Sequence, residues 1–386
     1  MNLINSNKNY FNKLFNSIKG IKVLLLDNET LNYLSSLYNM TTLLKYEIFL
    51  IENINNINRN KFLNLNCLVL LKPTSSSIRL ICNELLNPHY KSYHLYFTNT
   101  LNKQQIDTLA KSDKDLKVNE IIEIFSDFYV INDFLFTFNF SNNNLNLFSN
   151  NSNSWNLDHL HLCSNSISAV LLSLKKKPII RYQNSSNLAF TLSNSIQSII
   201  DNESNLYDFR PTNPSPVLLI CDRCNDPVTP LLSQWTYQAM IHELIGLDNG
   251  KVDLSYNPLI PQDQRSLVLS STDDNDPFYS ENLYANFGDL GANVKAYVSQ
   301  YQSATQGSNH NPNSIQTISD MKNFIESYPQ LRKFGGNVSK HVTLLSELSK
   351  LVEDRNLLKV SELEQSLASN ESHNSDLRVS FSLKIN

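Results

Sequence analysis

Short apolar runs recur along the first third of the chain, each separated from the next by enough residues for a helix. They are "IKVLLLD" (Ile21–Asp27), "YEIFLI" (Tyr46–Ile51), "NCLVLLKP" (Asn66–Pro73), "SYHLYFT" (Ser92–Thr98) and "DFYVIN" (Asp127–Asn132). The runs are continuous rather than alternating, which is the pattern of strands buried on both faces of a parallel sheet. Between them Leu31–Tyr38, Ser75–Leu86, Lys103–Ala110 and Leu116–Phe125 read as helices. Strand and helix in alternation predict a doubly wound α/β domain over residues 21–140. Residues 1–20 are polar and Asn-rich, and composition predicts a loose, disordered tail there.

The pattern then pauses at 141–156, "SNNNLNLFSNNSNSWN", an Asn/Ser linker. Leu160, Cys163, Ile167, Val170, Leu171 and Leu174 recur at helical spacing, so 157–175 is predicted as an amphipathic helix. "KPIIRY" reads as a strand, Ala189–Ile200 as a helix and "PVLLIC" as a strand, giving a second α/β segment over 141–246. From 247 to 386 the chain reads as mostly helical. Its helices are expected at Ser280–Ser303, Ser314–Tyr328, Val338–Asn356 and Ser361–Ala368, with a polar turn at Ala304–Ser314.

Composition narrows the function classes. The chain has 386 residues, 41% of them hydrophobic, enough for two or three domains with real cores. A formal net charge of -4 gives no basic footprint for nucleic acid. No apolar run approaches the roughly 18 residues of a membrane helix, and the first residues lack the apolar core of a signal peptide. Five cysteines at irregular spacings fit a reducing, cytosolic setting.

The densest candidate chemistry is "VLLICDRCNDPVTPLLSQWTYQAMIHELIG", Val217–Gly246. Cys221 and Cys224 have the spacing of a zinc or thiol-redox pair. A zinc site needs two more ligands; His159, His161 and Cys163 are the candidates, but on a helix alternate residues diverge by about 200°. A reactive thiol pair needs a helix N-terminus at the first cysteine, and Pro227 and Pro230 delay the helix. The structural reading is a buried strand ending at Asp222 and Arg223, followed by a turn through Asp226 and Pro227. Thr229 then caps a helix with Pro230 at its first position and Leu232, Thr236, Ala239, Met240 and Glu243–Leu244 on one face. Asp222 and Asp226 together are also compatible with a degenerate α/β enzyme that holds a small ligand beyond the strand ends. No phosphate-loop, dinucleotide, nucleophile-elbow or HExxH pattern is present, and eight glycines leave little material for phosphate-cradling loops.

This same stretch resembles the SM (Sec/Munc-like) family, with its pattern L-D-R-x-x-D-P-x-T-P followed by H-E-L-[L/I]-G. "FYSENLYANFGDLG" and "DMKNFIESYPQLRKFGGNVSKHVTLLSELSKLVEDRNLLKVSELEQSLA" are similar to further family segments, and "QWTYQAM" and "GNVSKHVTL" resemble its endosomal vacuolar-protein-sorting branch. The resemblance implies a non-enzymatic, cofactor-free monomer that binds a syntaxin-like SNARE and the assembling SNARE bundle. It implies a cytoplasmic protein, peripheral on Golgi and endosomal membranes. The first domain is then expected to hold the syntaxin N-terminal peptide between two helices after the fourth strand, at Leu101, Ile106, Leu109, Val118 and Ile122. A helical hairpin in the third region is expected to template SNARE helices through Val298, Tyr301, Ile318, Met321 and Ile325. Asp222, Arg223, Asp226 and Pro227 become a structural family motif, which favours the strand-end reading of the cysteine pair. The resemblance stops near Ser375 and family chains are longer, so a C-terminal truncation and an incomplete second α/β domain are expected.

Overall fold

The computed structural model describes residues 2–138, 154–271, 276–306 and 318–369, with Gln306 and 318–330 described by backbone course alone. It divides into two compact units, Met1–Asn225 and Asp226–Asn386. The first unit opens with α1 (Leu3–Ser17), β1 (Lys22–Leu26), α2 (Asn28–Leu37), α3 (Met40–Lys45), β2 (Ile48–Asn53) and β3 (Phe62–Leu71). α4 (Ser75–Leu86), β4 (Tyr90–Phe97), α5 (Lys103–Ser112) and β5 (Val118–Glu123) follow. The five strands form one parallel sheet in the order β2-β1-β3-β4-β5.

The predicted doubly wound sheet is therefore present, and its layers follow from the apolar runs. Val23, Leu25, Val69 and Leu95 face α4 and α5 through Ile78, Ile81, Leu85 and Leu109. Leu24, Leu26, Leu68 and Leu70 face the opposite layer, where Phe15 of α1 and Leu34 of α2 pack. Each such fully buried side chain contributes roughly 1.5–3 kcal/mol. Helix starts sit just beyond strand ends: Asp27 caps α2, Thr74 caps α4 and Asn102 caps α5, each accepting a backbone N–H of the first turn.

Three expectations for this region fail. The loose tail is instead the helix α1, which buries Leu3, Ile4, Asn7, Phe11, Leu14 and Phe15. Phe15 lies 5.5 Å from both the Tyr38 and the Tyr46 rings. Apolar spacing outweighed Asn-rich composition. The helix expected at Leu116–Phe125 is the edge strand β5, because β-branched Val118, Ile121 and Ile122 suit an extended backbone paired with β4. The strand expected at Asp127–Asn132 reduces to β6 (Tyr129–Val130), antiparallel to β7 (Phe136–Thr137).

The rest of the unit is α6 (Leu157–Ser173), β8 (Ile179–Tyr182), α7 (Asn187–Asn202) and β9 (Val217–Ile220), close to the elements predicted. β8 and β9 pair in parallel, and among the described residues they form a two-stranded sheet. Ile180, Leu218 and Ile220 pack against α6 and α7, while Ile179, Val217 and Leu219 are exposed.

The second unit contains α8 (Tyr237–Met240), β10 (Lys251–Asp253), β11 (Ser266–Val268), α9 (Pro277–Asn282), α10 (Phe287–Gln306), α11 (Ile318–Asp354) and α12 (Leu357–Ser369). The long helix predicted from Thr229 does not form. Thr229–Leu231 makes one 3-10 turn, and residues 232–236 are not helical. The helical stretch is α8 running into a π-turn, Ile241–Ile245, ended by Gly246 at φ +105°. Its buried face is Tyr237, Met240 and Ile241, which join Leu290, Leu344 and Leu348 in this unit's core. The helix expected at Ser280–Ser303 breaks between α9 and α10, where Leu283 and Ala285 carbonyls accept the Gln238 and Tyr237 N–H groups. The two helices expected at Ser314–Tyr328 and Val338–Asn356 are one, α11, which runs through Pro329. Packing of Phe334 against Tyr297 and Tyr301 of α10 holds that region helical despite the proline and Gly335–Gly336.

Candidate functional site

A cavity of about 350 Å³ opens at the edge of the five-stranded sheet, between the end of α5 and β5. Leu109 and Ala110 come from α5, Asp113 and Leu116 from the connection, and Val118, Asn119, Glu120 and Ile121 from β5. Leu95 of β4 completes it. The shape depends on a β-bulge. Val118 stands opposite Tyr93, but Glu120 stands opposite His94, so Asn119 is an extra residue in β5. A one-residue shift exchanges the two faces of a strand. Beyond the bulge Ile121 pairs with Leu95 and joins the cavity, while Ile122 pairs with Tyr96, which packs in the core of the other face.

Polar bonds fix this geometry. Asp113, at the end of α5, accepts the Lys117 N–H at 2.9 Å and the Val118 N–H at 3.1 Å. Glu120 accepts the Tyr96 hydroxyl at 2.6 Å and contacts His94 Nδ1 at 2.9 Å. The Tyr96 bond, chiefly, holds the Glu120 carboxyl below its usual range, and burial together with Glu120 pushes the Tyr96 hydroxyl up to about 12. The cavity thus has an apolar floor of Leu95, Leu109 and Val118, with Asp113 at its rim, while the Glu120 carboxylate is tied to Tyr96 on the other face of the sheet.

Of the five residues expected to form a peptide pocket, Leu109 and Val118 line this cavity. Leu101 is half-buried against the neighbouring core, and its N–H is held by Glu123 at 2.7 Å. Ile106 is 43% exposed and outside the wall, and Ile122 faces away. The second helix expected to flank the pocket is the edge strand β5, so the cavity lies between one helix and a strand. Leu95, Ala110, Asp113, Leu116, Asn119, Glu120 and Ile121 also line the cavity and are not among the expected residues. Reading "VNEII" as a strand would have placed Val118 and its neighbours on the sheet edge, but nothing in the sequence marks the bulge that selects Ile121 over Ile122.

Tyr301 packs its ring 5.3 Å from Phe334 and over Gly335, and Val298 packs against the core of the second unit. Ile318, Met321 and Ile325 lie on α11, with side chains outside the described ones, and tip residues Gly307 and Pro312 lie outside the described residues.

At the CDRC corner Asp222 accepts the Ser186 hydroxyl at 2.6 Å and the Cys224 N–H at 3.0 Å, and its own N–H is bonded to Gln183 Oε1 at 3.0 Å. These bonds tie the end of β9 to the turn before α7, and the Ser186 bond above all holds the Asp222 carboxyl low. Arg223 stands in a single 3-10 turn, Arg223–Asn225. Asp226, followed by Pro227, accepts the Thr229 N–H at 3.1 Å and begins the second unit. Cys221 and Cys224 are both exposed and Cys163 is buried. Among the described residues no group of three or more His, Cys, Asp or Glu side chains is placed to hold a metal ion, so the zinc reading gains no support.

A family model described as the Sec1 family matches residues 22–382. The chain belongs to the Sec1 family. The match continues past Ser375, where the resemblance was expected to stop. Vacuolar protein sorting-associated protein 45 of Schizosaccharomyces pombe is 42% identical over 376 residues, covering 97% of this chain and 66% of the relative. The Homo sapiens protein of that name is 41% identical over 379 residues, covering 98% of this chain and 65% of the relative. A solved SM protein Vps45 in complex with Qa SNARE Tlg2 superposes with a TM-score of 0.91 at 46% identity, covering 98% of this chain and 67% of that one. Vps45 alone gives 0.87 at 44% identity, with the same coverage of both chains. The chain spans about two thirds of the length of these Sec1-family relatives. Among the described residues no helix is long and apolar enough to cross a membrane.

Proposed function

We propose that this chain binds a syntaxin-type SNARE and acts in vesicle docking and fusion on vacuolar and endosomal routes, peripheral to Golgi and endosomal membranes. The α5–β5 cavity holds the SNARE's N-terminal peptide by one apolar side chain. The α10–α11 hairpin, with Val298, Tyr301, Ile318, Met321 and Ile325, engages SNARE helices. No bond is made or broken. Asp222, Arg223, Asp226 and Pro227 act structurally, and the division at 21–140, 141–246 and 247–386 follows the family's three domains.

One observation carries this reading. An open apolar cavity lies beside α5 in a chain that is 46% identical to a Vps45 solved with its Qa SNARE. Burying one large apolar side chain there is worth roughly 1.5–3 kcal/mol, the scale of a binding hot spot. The test is titration of the full chain with a labelled syntaxin-type N-terminal peptide, followed by anisotropy. Ile121 is 40% exposed, so Ile121→Arg leaves the fold intact while placing a charge in the wall. Affinity should fall by about tenfold or more, equivalent to about 1.4 kcal/mol. Equal affinity of variant and parent removes the cavity from the function.

A further inference from the structure

Leu116 breaks two local rules at once. Its side chain is 85% exposed although large and apolar, and its backbone is left-handed at φ +50°. Glycine or asparagine would hold this backbone with less strain and without presenting apolar surface to water. Strain and exposed apolar surface that serve no packing in the free chain point to a role with a partner.

The surrounding bonds show why Leu116 keeps this conformation. Asp113 closes α5 with its N–H on the Leu109 carbonyl at 3.2 Å, while its two carboxylate oxygens take the Lys117 and Val118 N–H groups. Val118 then enters β5 opposite Tyr93. Asp113 ties the connection to α5 through its N–H and to the start of β5 through its carboxylate, and Lys114, Asp115 and Leu116 form the short loop between, with Leu116 its only apolar residue. It stands on the lip of the cavity, with Leu109 and Val118 inside.

We propose that Leu116 is a contact residue of the docking site, closing over the apolar side chain of a bound syntaxin-type N-terminal peptide, with Asp113 as the positioning residue that presents it. This rests on the peptide-binding reading above. Leu116 would contact only an anchor long enough to protrude from the cavity, so it selects large anchors over small ones.

The test uses the full chain and a pair of syntaxin-type N-terminal peptides, one with its native apolar anchor and one with alanine in that place. Leu116→Asn and Leu116→Gly should leave the thermal midpoint unchanged or raised, yet weaken the native peptide by about five- to tenfold. Leu116→Met, which keeps the apolar reach, should bind within about twofold of the parent. The alanine peptide should bind all four proteins alike. Asp113→Asn, which has one acceptor oxygen for two N–H groups, should weaken only the native peptide. If Leu116→Asn and Leu116→Gly bind like the parent while Ile121→Arg does not, the role of Leu116 is refuted and the site stands. If Ile121→Arg also binds like the parent, the site itself is wrong, and the role of Leu116 falls with it.

Discussion

Replacing His341 by glutamine should remove a pH dependence that the second unit owes to a single ring. His341 is fully buried on α11, 4.6 Å from the Phe278 ring. Its Nε2–H donates to Asp276 Oδ1 at 2.8 Å, and its Nδ1 accepts the Tyr237 hydroxyl at 2.9 Å, which is the bonding of a neutral imidazole. Lys340 also bonds Asp276. Burial lowers the His341 pKa, and the Asp276 carboxylate only partly offsets that. The unfolded chain, with a histidine near 6.5, therefore takes up the proton first. A folded-state pKa below the unfolded one gives stability that is fully present above about 6.5 and is lost as pH falls towards the folded value. One proton changes stability by at most about 1.4 kcal/mol per pH unit. Lowering the pH from about 6.5 to 5.5 should thus cost up to about that much. Glutamine can supply one donor and one acceptor without titrating. The assay is urea unfolding at several pH values, followed by the exchange of core amides in α8 and α11. The variant should be weaker at pH 7 yet show a flatter profile between about 6.5 and 5. A parent protein whose stability is level across that interval, or a variant with the parent's slope, refutes the reasoning. Asp276 adds a second effect at lower pH. Burial alone would raise its carboxyl, but the His341 bond and the neighbouring Lys340 ammonium hold it down, so its contribution persists until pH falls below about 4.

Other outcomes follow from the packing. Phe15→Ala should cost about 3–5 kcal/mol in urea unfolding of the first unit, because the ring is wholly buried against Tyr38 and Tyr46. A cost under about 1 kcal/mol would mean that α1 is no part of the core. Two neighbouring glycines on α11 should respond in opposite directions. A Cβ on Gly335 would stand 2.8 Å from the Tyr301 hydroxyl, so Gly335→Ala should lower stability by about 1–3 kcal/mol. Gly336 has nothing within 4 Å, so Gly336→Ala should stabilise by roughly 0.5–1 kcal/mol through helix propensity. Thermal melts of the two variants side by side check both.

The sheet was legible because burial on both faces leaves a direct trace. A strand such as Val23–Leu26, fully buried on each side, has no room for polar alternation. Helix starts were legible where a capping side chain follows a strand, as at Thr74 and Asn102. α1 was misread because asparagine dominates its composition, while its spacing already carried Phe11, Leu14 and Phe15 on one face. The helix written for 116–125 shows the ambiguity of a short run whose apolar residues fit either period. Two of the nine residues that line the cavity, Leu109 and Val118, are among those the family resemblance implied. The remainder depends on where the extra residue of β5 falls, and an asparagine at 119 in an edge strand carries no signal of a bulge. Tyr237 and Asp276 lie far from His341 in sequence, so their buried cluster was invisible until the fold joined them.

Hydrogen–deuterium exchange of the full chain, with and without a syntaxin-type N-terminal peptide, tests the proposed binding most directly. If the peptide docks in the α5–β5 cavity, new protection should concentrate in 109–121, at the end of α5, its connection and the first half of β5. Protection confined to other segments, or no change at saturating peptide, would contradict it.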